Sequence, residues 1–172
     1  MKINFEDISY LLTGNDKQRR AYETLKKYRV MDLLEKFDPI LTGTIPINMD
    51  IETSDLDISC CYTDKKEFIE TVDHLFADEK QFVLRENSEF NSVVCSFWLD
   101  DFELELFGQS IPTKKQYAYR HMLIEHQLLE ERGEAFRQEI LALKKQGYKT
   151  EPAFGIALGL KGNPYEELLK FE

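Results

Sequence analysis

The sequence predicts an α+β protein, a short mixed sheet flanked by helices with a helical bundle at the C-terminal end closing one side of a cleft. Three observations predict it. Short β-rich runs occur between residues 40 and 61 and again between 81 and 108, segments of three- and four-residue apolar period frame and separate them, and from Ser110 onward the pattern is helical. The change of character divides the chain into a sheet-bearing unit over 1–109 and a helical subdomain over 110–172, packed as one compact unit. A chain of 172 residues supports one such body rather than two full domains.

The elements follow in order. Residues 15–37 carry Ala21, Leu25, Tyr28, Met31, Leu34 and Phe37 at helical steps, after Gly14 and Asn15 as start signals, and Asp38-Pro39 closes the helix. A short strand "ILT" meets Gly43, and "IPINMDIET" lacks helical period and contains Pro46, so it reads as a loop. "SDLDISCCY" is the next strand. "TDKKEFIETVDHLFADE" is a helix with Thr63 or Asp64 as its cap. "QFVLRE", "NSVVCSFWL" and "FELELFG" form an antiparallel meander, with Trp98 and its phenylalanines filling the core. The helical half is read as 114–131, 134–146 and two short pieces around "PAFGIALGL" and "PYEELLKF".

Composition narrows the function. With 42% hydrophobic and 31% charged residues the chain folds as an ordinary globular protein. A formal net charge of −10 repels phosphate backbones, so extended duplex nucleic-acid binding is not expected. No stretch has the length of a membrane span, and the start "MKINFEDISYLL" is unlike a signal peptide, so the expected location is the cytoplasm, with no membrane partner. Cys60, Cys61 and Cys95 form no C-x-x-C pair and read as reduced thiols.

The chemistry concentrates in "DLDIS". Asp55 and Asp57 share one strand face, about 6.6 to 7 Å apart, while Leu56, Ile58 and Cys60 take the other. Two carboxylates that close repel, and Asp is a poor strand former, so a positive group belongs between them. Mg²⁺ suits the position, since it takes oxygen ligands and commonly uses one or two carboxylates with substrate phosphates. On its own a D-x-D is a pair of solvated acids, and on its own Gly43-Thr44 is a strand-ending turn. Their combination adds backbone room and a hydroxyl that can contact an anion. Downstream, Glu103 and Glu105 share a face of "FELELFG"; Glu105 is the preferred third carboxylate and Glu103 the second choice.

Glycine and a hydroxyl residue after a strand, ten intervening residues, then Asp-hydrophobic-Asp-hydrophobic and a later strand acid resemble the DNA polymerase beta-like nucleotidyltransferase superfamily. Thr44 stands where that pattern usually has Ser or Gly. More closely, "GTIP", "SDLDI", "ELFGQ", "QYAYRHMLIEHQLL" and "KTEPAFG" resemble the blocks of a small bacterial family within it, over roughly residues 15–170. The resemblance implies a nucleotidyltransferase-like fold and transfer of a nucleoside monophosphate from a nucleoside triphosphate to an acceptor, which could be a small molecule, a protein or an RNA. It implies that Gly43, Thr44 and Ser54 hold the nucleotide, that Asp55, Asp57 and Glu105 are catalytic and bind Mg²⁺ or Mn²⁺, and that Glu105 lies near the acceptor.

Other groups are secondary. Lys114 and Arg120, with Lys115, would reach a triphosphate if the helical half closes over the sheet, and are otherwise solvated cations; Lys149 and Glu151 lie in the turn before Pro152, where a loop would cover the cleft. His121, Glu125 and His126 do not match the H-E-x-x-H zinc arrangement, and Gly155, Gly159 and Gly162 match no phosphate-loop pattern. A rival from another class is a non-catalytic interaction module of the same fold, such as an antitoxin-like subunit.

Overall fold

The computed structural model describes residues 3–172. Its five strands, β1 (Ile40–Thr42), β2 (Leu56–Cys61), β3 (Lys80–Asn87), β4 (Ser92–Leu99) and β5 (Phe102–Gln109), form one mixed sheet in the order β1-β2-β5-β4-β3. The last three are the expected meander, with β3 irregular between Lys80 and Val83. β5 then returns parallel to β2, and β1 closes the other edge antiparallel to β2.

Period-two alternation gives the sheet two unlike faces. Leu56, Ile58 and Cys60 of β2, Leu104 and Leu106 of β5, and Val93, Cys95, Phe97 and Leu99 of β4 enter one core with helices α1 (Asp16–Lys27) and α3 (Lys65–Phe76). The residues out of phase with these, Asp57, Ser59, Glu103, Glu105, Ser96 and Trp98, occupy the opposite face. Trp98 therefore does not fill the core as the sequence suggested: the alternation that buries Phe97 turns its neighbour outward, where it is only half-buried.

Asn15 opens α1 with a capping box, its side chain accepting from Gln18 N–H while Gln18 returns the bond. The helix expected to run to Phe37 instead breaks after Lys27, and α2 (Val30–Leu33) is a single turn. The apolar pattern requires the break. In a straight helix Val30 would lie about 140° and Leu34 about 180° round from Leu25, on the wrong side. Arg29 adopts a left-handed φ of 54°, and all three side chains are buried. Of the two candidate caps for α3, Asp64 is the one used, accepting from Lys66 and Glu67 N–H.

The helical half comprises α4 (Tyr117–Lys145), α5 (Thr150–Ala157) and α6 (Pro164–Leu168). Helix α4 is two helices joined at Gly133 (φ 77°, ψ −169°), the gap that the periodicity left between 131 and 134. A second core holds Phe5, Met122, Leu128, Phe136, Ile140, Phe154 and Leu168. The β1–β2 connection is irregular, as expected, and its apolar residues Ile45, Ile47 and Met49 are buried while Asn48, Glu52 and Thr53 stay exposed. Ile45 enters the first core while Ile47 and Met49 enter the second, so this segment joins the two. Among the described residues, no helix is long and apolar enough to cross a membrane.

Gly133 occupies a backbone region open essentially to glycine alone, and a Cβ added there would meet nothing within 4 Å. Gly133→Ala is therefore expected to cost about 1–3 kcal/mol through backbone strain without a steric clash. Urea unfolding should show the loss with an unchanged sheet signal in circular dichroism.

Candidate functional site

The site grows from the end of β1. Thr42 pairs with Asp57 in the β1/β2 ladder, so the turn that follows passes directly beside the Asp57 carboxyl. Gly43 makes that turn with φ 79°, and a Cβ there would lie 2.3 Å from Asp57 Oδ2. Glycine is thus needed twice, for the left-handed backbone and for the space the acid occupies. The Thr44 hydroxyl donates to Ser54 Oγ (3.3 Å), which accepts from Ile51 N–H (2.9 Å). Asp55 immediately precedes β2. Gly43, Thr44, Ser54, Asp55 and Asp57 are therefore brought to one end of the β1/β2 pair.

Across β2 and β5 the register sets Asp57 directly beside Glu105, and a parallel pair at one level projects its side chains to the same face. The consequence is electrostatic crowding. Asp57 is pushed up to about 8, first by burial, then by Asp55, Glu105 and Glu151, with Lys144 opposing. Part of the residue still reaches solvent, but its carboxyl is hemmed in by the protein. Glu105 is also raised, by burial and then Asp55, while Arg85, whose Nη2 lies 3.6 Å from Glu105 Oε2, holds it down; Glu103 raises it further and Lys149 lowers it. Glu103 is exposed and lines a groove of about 310 Å³ with Ser54, Thr53, Lys17, Arg20 and Trp98.

Hard carboxylate oxygens on Asp55 and Asp57, crowded enough to raise Asp57, are the donor chemistry that Mg²⁺ or Mn²⁺ takes. Among the described residues, no three His, Cys, Asp or Glu side chains gather closely enough to hold a metal ion by themselves, so Asp55, Asp57 and Glu105 do not form the three-carboxylate metal cluster expected from the sequence; Glu105 instead faces Arg85 at 3.6 Å. This donor set fits a cation completed by phosphate oxygens of a ligand rather than an all-protein cage.

The remaining candidates lie elsewhere. Lys114 pairs with Glu6 (2.6 Å) and Arg120 with Glu172 through Nε (2.9 Å) and Nη2 (2.5 Å). Lys149 caps α5 and its charge reaches Glu105. His121 Nε2–H donates to Tyr165 O (2.8 Å), with Nδ1 3.6 Å from Glu151 Oε1. Glu125 is buried with Oε1 unpartnered and its carboxyl well above the usual range, from desolvation and Glu151 against the pull of Lys144. The cysteines are unbridged, and burial pushes all three thiols up.

Four side chains that hold the site's loop were not singled out from sequence. Gln18 Nε2 donates to Ile45 O (2.8 Å) and Pro46 O (3.3 Å), and Lys17 Nζ to Ile51 O (2.7 Å) and Glu52 O (3.0 Å). Arg137 Nη1 donates to Ile47 O (2.9 Å) and Asn48 O (2.8 Å), and Lys144 Nζ to Met49 O (2.7 Å). A signal for two of them was present. Gln18 falls in the stripe of Ala21 and Leu25, and Lys144 in that of Phe136 and Ile140, polar residues at positions the period assigns to the core.

The family described as Domain of unknown function (DUF4269) matches residues 23–171, and the chain belongs to it. Among solved structures, the Cid1 poly(U) polymerase with Mg and 3'-dATP bound is similar at a TM-score of 0.58 and 13% identity, covering 76% of this chain and 41% of that one. The GLD-2/RNP-8 complex matches at 0.58 and 13%, over 90% and 63%. The polymerase core of TRAMP, an RNA surveillance complex, matches at 0.55 and 12%, over 94% and 50%. The chain thus spans less than two thirds of each of these structures, and the likeness establishes a nucleotidyltransferase-like fold. Comparison with curated proteins finds no match.

Because the folded-state value of Asp57 lies above its ordinary 3.8, the folded chain binds that proton more tightly than the unfolded chain. The stability it contributes is complete below about pH 4 and is lost as pH rises through about 8. Asp57→Asn keeps the shape and removes the ionisation. Its urea midpoint should fall less than that of the unsubstituted protein across this window and exceed it above pH 8, measured without divalent cations.

Proposed function

We propose that this DUF4269 chain is a nucleotidyltransferase that moves a nucleoside monophosphate from a nucleoside triphosphate to an acceptor, releasing pyrophosphate. The observation that carries the reading is the placement of Asp57 beside Glu105 at one sheet level, with the Gly43 turn closed onto the Asp57 carboxyl. The similarity in fold to polymerases supports it. On the same reading the family is a bacterial branch of the polymerase beta-like superfamily, acting in the cytoplasm.

Each residue has a role. The Gly43–Thr44 turn and Ser54 receive the triphosphate, the glycine by letting phosphate approach the backbone and the hydroxyls by donating to its oxygens. Asp55 and Asp57 are the residues that would hold Mg²⁺ or Mn²⁺, which when bound would supply neutralisation of phosphate charge. Glu105 stands next to Asp57 on the side of the open sheet face. There it accepts or orients the proton of the acceptor once its contact with Arg85 is exchanged for the substrate. Glu103 and Trp98 border the neighbouring groove and form the acceptor's approach. Residues 1–109 form the catalytic unit and 110–172 the subdomain that closes the cleft, with Lys149 entering from the turn before α5. Lys114 and Arg120, already paired with Glu6 and Glu172, are assigned no part.

Calorimetric titration with ATP, GTP, CTP and UTP in Mg²⁺ or Mn²⁺ tests the binding step, and transfer from radiolabelled triphosphates to components of a cell extract tests the reaction. At least one nucleotide is expected to bind and to release pyrophosphate. The Asp55→Ala, Asp57→Ala double variant should lose transfer by about 10³-fold or more, the scale of several kcal/mol of metal-centred charge stabilisation. Absence of binding by all four nucleotides overturns the reading. Binding without transfer to any acceptor turns it towards a non-catalytic interaction module.

A further inference from the structure

The segment from Thr44 to Thr53 separates the nucleotide-receiving turn from Asp55 and belongs to no helix or strand. Its carbonyls at positions 45–49, 51 and 52 are nonetheless bonded, and side chains make most of those bonds. Lys17 and Gln18 of α1 hold its two ends, while Arg137 and Lys144 of α4 hold the middle at Ile47, Asn48 and Met49. Arg137 and Lys144 are seven residues apart, two turns along one helix, and so project to the same side. Both lie beyond Gly133, on the part of α4 that the break separates from the rest of the helix. That part runs down to Gly147, where φ is again positive at 99°.

A clamp meant only to fix the segment would need hydrogen-bond donors, not cations. Ile47 and Met49 already anchor it in the second core, and a neutral donor would satisfy Met49 O without desolvating a charge. Instead Lys144 is 6% exposed, and the acids acting on it are Glu125, Asp50, Glu151 and Asp57. A buried positive charge thus ties the middle of the segment to the helical half and stands in the field of the acid at the centre of the site.

We propose that Arg137 and Lys144 are positioning residues for nucleotide binding: by fixing residues 47–49 from the second half of α4, they set where Gly43–Thr44 stands relative to Asp55 and Asp57. Nucleotide affinity then depends on the placement of a helix that does not itself carry the acids. The inference rests on the proposed nucleotidyltransferase reading and deepens it, since it makes the helical half a determinant of the phosphate site as well as a cover for it.

The test compares Lys144→Met and Arg137→Met with Lys144→Arg and Arg137→Lys, and with Lys145→Met, an exposed position on the same helix, as control. Affinities for the four Mg-nucleotides are measured by calorimetry well below each variant's Tm, and amide exchange is followed without ligand. The methionine variants should bind about tenfold or more weakly, the scale of a lost hydrogen bond from a charged group. Exchange should quicken over 44–54 and stay unchanged in β2 and β5. The conservative variants should recover part of the affinity, and Lys145→Met should match the unsubstituted protein. If the methionine variants do not fold, reduced affinity in Lys144→Arg and Arg137→Lys with the same local exchange pattern carries the proposal. A lowered Tm with unchanged affinity overturns it. If the unsubstituted protein binds no nucleotide, the proposed function itself fails; faster exchange confined to 44–54 then still supports the clamp, and unchanged exchange overturns it.

Discussion

A buried segment of irregular backbone must find partners for its polar groups, and the rest of this structure depends on how the β1–β2 connection meets that requirement. Carbonyls enclosed by protein and left unbonded would cost more than the apolar burial of Ile45, Ile47 and Met49 returns. The chain answers with side chains drawn from both ends of the sequence, Lys17 and Gln18 from α1 and Arg137 and Lys144 from α4. The same segment therefore joins two hydrophobic cores and fixes the span between Gly43 and Asp55. Neither core alone would hold it.

The acidic cluster follows from that span. Once the turn after β1 is fixed, the β1/β2 ladder puts Asp57 under it and the β2/β5 ladder puts Glu105 beside it. Burial first, and then the neighbouring acids, push the Asp57 carboxyl up. On the proposed function, a cation bringing phosphate oxygens would relieve this crowding. Buried Glu125 and Lys144 and half-buried Glu151 place a second set of ionisable groups on the helical side.

Much of this was legible in the sequence because it is local. The meander, a cap for α3 at Thr63 or Asp64, the break at Gly133 and the short C-terminal helices all follow from period and punctuation. The spacing of Asp55 and Asp57 is also a local matter, although Asp55 lies just before β2 rather than on the strand as expected, whereas the parallel pairing of β2 with β5 that sets Glu105 rather than Glu103 beside Asp57 is tertiary and depends on register. The break at Arg29 was missed because the chosen stripe of Tyr28 and Met31 looked continuous, while the buried set of Leu25, Val30 and Leu34 needs two helix directions. Trp98 was misplaced because size was weighed above phase. The loop was recognised as irregular but not as buried, although apolar residues alternate at 45, 47 and 49.

The contact between Gly43 and Asp57 also bears on how this family can diverge. Any side chain at 43 evicts the carboxyl at 57, so while the acid is kept the glycine cannot vary. The reverse does not hold. A copy that replaced Asp57 with a smaller residue would gain room at 43 yet still need a left-handed backbone there, with φ near 79°. The acid can therefore be lost while the glycine stays, and a copy with Gly43 but no Asp57 would keep the turn without the carboxylate it is shaped around.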